Sequence, residues 1–217
     1  MIYELRRYTL HPGRRDTLIT LFEREFVEPQ EALGMRVAGT FRDPDAPDTF
    51  TWLRAFPDME ARRAALEGFY GGPVWRAHRD AANATMIDSD DVLLLRPSGP
   101  ELPSWERPPA GAAEPPAALY VATICHVGEG FAEFFAGQVA PALAEAGTPP
   151  VGCLESEHAE NTFPRLPVRA GENVFVWFTR FARPEDERPA DLSMLEPRLT
   201  APPVRLRLRP TARSSMR

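Results

Sequence analysis

Two short stretches in opposite halves of the chain, TWLRAF at Thr51–Phe56 and VWFTRF at Val176–Phe181, carry the same apolar and aromatic framework, and each is followed within a few residues by an acidic segment. Outward from the first, Ile2–Leu10 (IYELRRYTL) is rich in strand formers. His11-Pro12-Gly13 is a turn, and Arg14–Leu33 places Leu18, Leu21, Phe22 and Phe26 at helical spacing. Met35–Arg42 and Thr49–Phe56 read as strands joined by the turn DPDAPD. Asp58 is placed to cap a helix running to Leu66. A Gly-Gly-Pro break follows, Val74–Ala84 resumes a helical pattern, and Val92–Arg96 closes the half as a strand. Outward from the second stretch, Leu119–Val127 (LYVATICHV) matches the opening strand, and Phe131, Phe134, Phe135 and Val139 repeat the spacing of Leu18, Leu21, Phe22 and Phe26. Val204–Arg209 (VRLRLR) alternates into one apolar and one arginine face.

The order β-α-β-β-α-β, found twice, is that of a ferredoxin-like unit with its helices on one face of an antiparallel sheet. Fold class is therefore expected to be α+β, with two tandem ferredoxin-like halves over residues 1–96 and 118–210. A proline-rich linker, 97–117, separates them (Pro97–Pro116 reads PSGPELPSWERPPAGAAEPP), and 211–217 is a tail. Each sheet has a second face that needs cover, and the two halves can supply it for each other, sheet against sheet.

Composition narrows the chemistry. No apolar run approaches the ~18 residues of a membrane span, and no secretory signal is read at Met1–Arg7, so the expected location is the cytoplasm without a membrane partner. A net charge of −6 argues against a general nucleic-acid partner. All 25 basic residues are arginine, which excludes lysine Schiff-base chemistry, lysine-anchored pyridoxal phosphate included. Cys125 and Cys153 have no zinc or disulfide spacing and read as small core residues. There is no phosphate-binding glycine loop and no nucleophile elbow, so neither a metal nor a dissociable cofactor is expected. Asn83-Ala84-Thr85 matches a glycosylation acceptor but lacks the secretory context.

The opening IYELRRYTLHPG, the segments FTWLRAF and FYGGPVWRAHRDAANATM, and the closing DSDDVLLLRP resemble NIPSNAP proteins. ENTFPRLPVRAGENVFVWFTRF in the second half is similar to a bacterial NIPSNAP-like group. The resemblance implies a dimeric α+β barrel, a superfamily that includes cofactor-free oxygenases, isomerases, haem-binding enzymes and non-catalytic proteins. The second half has no counterpart of Gly68–Met86, so a pocket built from that segment would exist once.

Glu4, Arg6 and Tyr8 alternate onto one face of the first strand, and Trp52, Arg54 and Phe56 onto one face of the third. The matching positions of the second half, Val121, Thr123, Cys125, Trp177, Thr179 and Phe181, carry no charge. Two readings stand: a small-molecule pocket in the first half, or an ion-paired patch between the two sheets. His78 or Glu4 is the candidate proton carrier and Arg54 completes the catalytic set, orienting the ligand with Arg6, while Tyr8, Trp52 and Asn83 are further ligand contacts. The loop Glu160–Arg169 either reaches over the first half, offering Asn161 and Arg165 to a ligand carbonyl or carboxylate, or packs Phe163 and Leu166 between the halves.

The expected function is binding of a small organic molecule, with cofactor-free oxygenation or isomerisation as the reaction. A non-catalytic binding or assembly protein is the alternative, and a haem enzyme ligated through His78 or His158 is a lesser one. Self-association into a homo-oligomer stays open.

Overall fold

Alternation along one strand sets the architecture. In β1 (Ile2–Leu10) Tyr3 and Leu5 point into one core while Glu4, Arg6 and Tyr8 point the opposite way, as the two-residue period of a strand dictates. The computed structural model describes residues Met1–Arg217. After β1 come α1, a continuous helix of the segments Arg15–Leu21, Phe22–Phe26 and Val27–Glu31, then β2 (Arg36–Arg42) and β3 (Thr49–Phe56). The half closes with α2 (Met59–Gly71), α3 (Pro73–Asn83) and β4 (Met86–Pro97). The second half holds β5 (Leu119–His126), α4 (Phe131–Phe134, Phe135–Val139 and Ala140–Glu145), β6 (Pro150–Ser156), β7 (Val174–Phe181) and β8 (Val204–Pro210).

The eight strands close into one antiparallel barrel in the order β1-β3-β2-β8-β5-β7-β6-β4. This differs from two sheets that only face each other, because the halves hydrogen-bond edge to edge at two seams. One joins Leu95, Arg96 and Pro97 of β4 to Ser156, Glu155 and Leu154 of β6; the other joins Phe41 and Arg42 of β2 to Pro210 and Arg209 of β8. Closure leaves no unpaired edge. The lumen is filled by apolar side chains from both halves, among them Tyr3, Leu53, Leu95, Tyr120, Phe178 and Leu208. A second difference lies between β7 and β8, where the α-helix expected for a complete repeat is absent. Short 3-10 turns at Pro184–Asp186 and Ser193–Arg198 stand in its place.

Local sequence explains the helices. Asp58 caps α2 by accepting from the Ala61 N–H at 2.8 Å, and Gly72-Pro73 separates α2 from α3, with Pro73 at the first position, where its missing N–H costs nothing. Both α1 and α4 contain one π-helical stretch, at Phe22–Phe26 and Phe135–Val139. Each stands just before a proline, Pro29 and Pro141, that cannot donate to the carbonyl four residues back, which favours the wider turn.

The linker and the tail are both anchored. Leu102 joins the lumen core over Gly152 and Met216 joins it over Gly39. A Cβ on Gly152 would stand 2.5 Å from the Leu102 side chain, and one on Gly39 would stand 2.5 Å from the Phe41 ring and 3.1 Å from the Met216 sulfur. Both glycines sit at register shifts in the second strand of their half. Residues 211–217, set apart in the sequence as a tail, are largely buried. Met216 N–H donates to Ala38 O and Thr211 N–H to Thr40 O, while Arg213 pairs with Glu28. The residues look like a chain end only because their partners, β2 and α1, lie almost the whole sequence away. Cys125 and Cys153 are buried and free, and burial pushes each thiol up to about 12.

Because both seams and the lumen core are shared, residues 1–96 expressed alone expose two strand edges and half a core. That fragment is expected to self-associate or precipitate in size-exclusion chromatography, and a monomeric, cooperatively folding fragment would contradict this.

Candidate functional site

Glu4 and Arg6 of β1 and Arg54 of β3 lie outside the lumen, beneath the helices of the first half. β1 and β3 are antiparallel neighbours with Glu4 opposite Arg54 and Arg6 opposite Trp52, so their outward side chains form one patch. Placement between the two sheets is thereby corrected: the odd-numbered residues of β1 face the other half, and the even-numbered ones face α1 and α2. Glu4, Arg6 and Arg54 are all fully buried, as is Arg62 of α2.

Glu4 is the hub. Its Oε2 accepts from Arg6 Nη1 and Arg54 Nε, and its Oε1 from Arg62 Nε, each at 2.7 Å. Arg6 Nε also donates to the Tyr8 hydroxyl at 3.0 Å, and Arg54 Nη1 to Gln30 Oε1 at 3.3 Å. Arg62 Nη1 donates to Asn161 Oδ1 at 3.0 Å. The three guanidiniums outnumber the one carboxylate. Arg62 Nη2 has no acceptor, and Arg54 Nη2 lies 2.7 Å from Glu4 Oε2 without hydrogen-bonding geometry. Burial by itself would raise the Glu4 carboxyl, but Arg54, Arg6 and Arg62 overrule it and hold the group well below the usual carboxylate range. Burial likewise lowers Arg62 and raises the Tyr8 phenol, the latter opposed in part by Arg6.

Next to the cluster lies a small aromatic cavity of about 30 Å³, lined by Tyr8, Phe26, Gln30, Trp52, Tyr70 and Trp75 among others. The cavity has room for a water or two. Trp52 Nε1 is buried without a partner. Arg54 stacks against Trp52 and reaches Tyr70, with 5.1 and 6.0 Å from its guanidinium carbon to the ring centres.

Glu4, Arg6, Tyr8, Trp52 and Arg54 thus converge, and Asn161 joins them from the second half. Its loop also docks Phe163 on Tyr70 with ring centres 5.9 Å apart, so the reach over the first half and the apolar packing both occur. The other candidates stand apart. His78 is half-buried on α3 and faces Glu25, Nε2 to Oε2 3.4 Å, away from the cluster. Asn83 is exposed near the end of α3, and Arg165 is exposed and lies over the Phe163 ring. His158 is exposed on the loop after β6. Glu4, read as a proton carrier, is corrected to a fixed anion, since its carboxyl is saturated and remains ionised far below neutrality.

Sequence reading missed Arg62 and Gln30, although a signal for each exists. Arg62 stands on the stripe of Ala65, Leu66 and Phe69, and Gln30 follows Phe22 and Phe26 at four-residue steps, so each places a polar head on an apolar helix face. Tyr70, by contrast, has no distinguishing spacing.

The depressed Glu4 group makes stability pH-dependent with a definite sign. Its contribution is full above the unfolded value of about 4.3 and is lost as pH falls from there toward the lower folded value. Guanidinium melts between about pH 3 and 6 should show wild type weakening on the acid side, and Glu4→Gln should flatten that limb. At pH 7 the variant should lose about 3 kcal/mol or more, because three buried cations are left without their anion. An unchanged acid limb would overturn this account.

Comparison with known proteins agrees with the barrel. The NIPSNAP family model matches residues 3–99. A provisionally named monooxygenase of Fusobacterium nucleatum aligns over 99% of this chain and 94% of its own, at 12% identity and TM-score 0.63. A second, from Lactobacillus acidophilus, aligns over 96% and 93% at 13% identity and TM-score 0.58. An anthrone oxidase-like protein aligns over 97% and 91% at 13% identity and TM-score 0.54. No curated protein matches. At these identities the structural likeness establishes the fold, and no helix is long and apolar enough to cross a membrane. Residues 3–99, a little under half of the chain, are thus similar to the NIPSNAP family.

Proposed function

We propose that the space between β1, β3 and the helices of the first half binds a small aromatic molecule carrying an acidic hydroxyl or carboxyl group, held as its anion. The observation that carries this reading is the charge count at Glu4: one carboxylate faces three fully buried arginines. Neutralising a buried glutamate needs one cation, and surplus buried charge is costly unless something answers it. An oxyanion in the neighbouring aromatic cavity would answer it, with Gln30 and the unpartnered Trp52 N–H as further polar contacts. The ligand enters by displacing Tyr70 and Trp75, which flank the Gly71-Gly72-Pro73 break between α2 and α3.

The barrel itself is read as two ferredoxin-like halves joined in one chain as a dimeric α+β barrel, a reading supported by the matching strand orders β4-β1-β3-β2 and β8-β5-β7-β6. Two fold neighbours are provisionally named monooxygenases and a third is anthrone oxidase-like, so oxygenation of the bound anion by dioxygen, without metal or flavin, is the reaction that suits the site. A non-catalytic assembly role, in which the charges fix how the elements dock, is favoured by a different observation, the near-complete filling of the cavity by its own side chains.

4-Nitrophenol tests the binding, because its absorbance reports its own protonation. Bound to this site its apparent pKa should fall by about one unit or more. In Arg54→Met the shift should vanish while the unliganded protein melts at or above the wild-type temperature, since Glu4 keeps two arginines. A lower melting temperature with the spectral shift intact would mean that Arg54 serves packing alone. Oxygen uptake with anthrone above the buffer rate, lost in the same variant, would distinguish turnover from binding.

A further inference from the structure

One end of the barrel lumen opens into a second cavity, of about 90 Å³, that shares no residue with the aromatic one. Its floor is aliphatic, with Leu5 and Leu93 from the first half facing Ile124 and Leu206 from the second. Its rim is charged. Arg169, on the loop between β6 and β7, donates to Asp91 Oδ1 at 3.0 Å and to Glu172 Oε1 and Oε2 at 2.9 and 2.6 Å. His126 Nε2 completes this group, 3.2 Å from Glu172 Oε2.

Arg7 is the exception on this rim. The strand alternation that sends Glu4 and Arg6 under the helices sends Arg7 to the lumen side with Tyr3 and Leu5. It stands directly across the ladder from Asp91, yet that carboxylate is taken by Arg169, and Arg7 lines the cavity without an ion pair or a hydrogen bond, its Nε buried and unpartnered. A guanidinium offers a planar fork of donors suited to a carboxylate. Here the fork is paired with a small aliphatic floor, and no phenylalanine, tyrosine or tryptophan lines the cavity.

We propose that this lumen mouth is a second binding site, for a short-chain aliphatic monocarboxylate such as butyrate. Its carboxylate sits on Arg7 and its alkyl tail lies against Leu5, Leu93, Ile124 and Leu206. The site is assembled from both halves and does not depend on the reading of the arginine cluster beneath the helices.

The probe is sodium butyrate, titrated into the full-length protein and followed by NMR at the Ile124 methyl and the Arg7 Nε–H. Saturable shifts at both positions are expected, with none from butyramide or butylamine. Arg7→Met should weaken binding at least tenfold and Arg7→Lys much less, with the circular dichroism of both unchanged because Arg7 bonds to nothing in the free protein. Arg54→Met should bind butyrate as wild type does. The proposal is overturned by shifts that grow linearly without saturating, by equal binding of butyramide, by undiminished binding in Arg7→Met, or by loss of binding in Arg54→Met, which would place the carboxylate in the other cavity.

Discussion

A carboxylate buried under three arginines is the constraint on which the first half turns. Glu4 lies on a central strand with no solvent, so it must be answered locally, and its partners come from three different elements: Arg6 on β1, Arg54 on β3 and Arg62 on α2. The ion group therefore ties the helix layer to the barrel wall. Because the cations exceed the anion, it also leaves buried guanidinium donors of Arg54 and Arg62 unspent. A stable ion pair would stop at one partner. The second half shows what the same framework looks like without this demand. There Cys125, Phe175 and Trp177 pack directly on Phe131, Phe135 and Val139 of α4, and no charge is buried.

Closure of the barrel depends on a different device. Strands from the two halves meet at short seams, and the gaps inside are filled by residues that the elements themselves do not supply. Leu102 comes from the linker and Met216 from the last turn of the chain, and each settles where a glycine lacks the Cβ that would exclude it. The connector and the chain end are thereby structural parts of the lumen core. The loop between β6 and β7 does similar work on the outside, touching the arginine cluster through Asn161 and the lumen mouth through Arg169. One loop of the second half thus reaches both the arginine cluster and the lumen mouth.

Much of this was legible in the chain. TWLRAF and VWFTRF, with the apolar spacing of the two long helices, mark corresponding elements in the two halves, and the alternation of IYELRRYTL places Glu4, Arg6 and Tyr8 on one face. The capping Asp58 and the Gly-Gly-Pro break mark α2 and α3 to within a few residues. These are local features: dihedral preference and side-chain period act over a few residues and leave their mark in spacing.

What the sequence by itself determined was the order of elements, the face on which each charge lies and the asymmetry between the halves. Only the tertiary structure decided which layer that charged face meets, because a strand has two faces and its own pattern does not say whether a helix or another sheet covers each one. It also decided that Arg62 and Asn161 join Glu4 while His78 turns to Glu25, and that Arg7 is left alone because Asp91 is claimed by Arg169. Partnerships of this kind link residues distant in the chain. They depend on which cation reaches a carboxylate first in space, a competition that residue spacing along one strand does not encode.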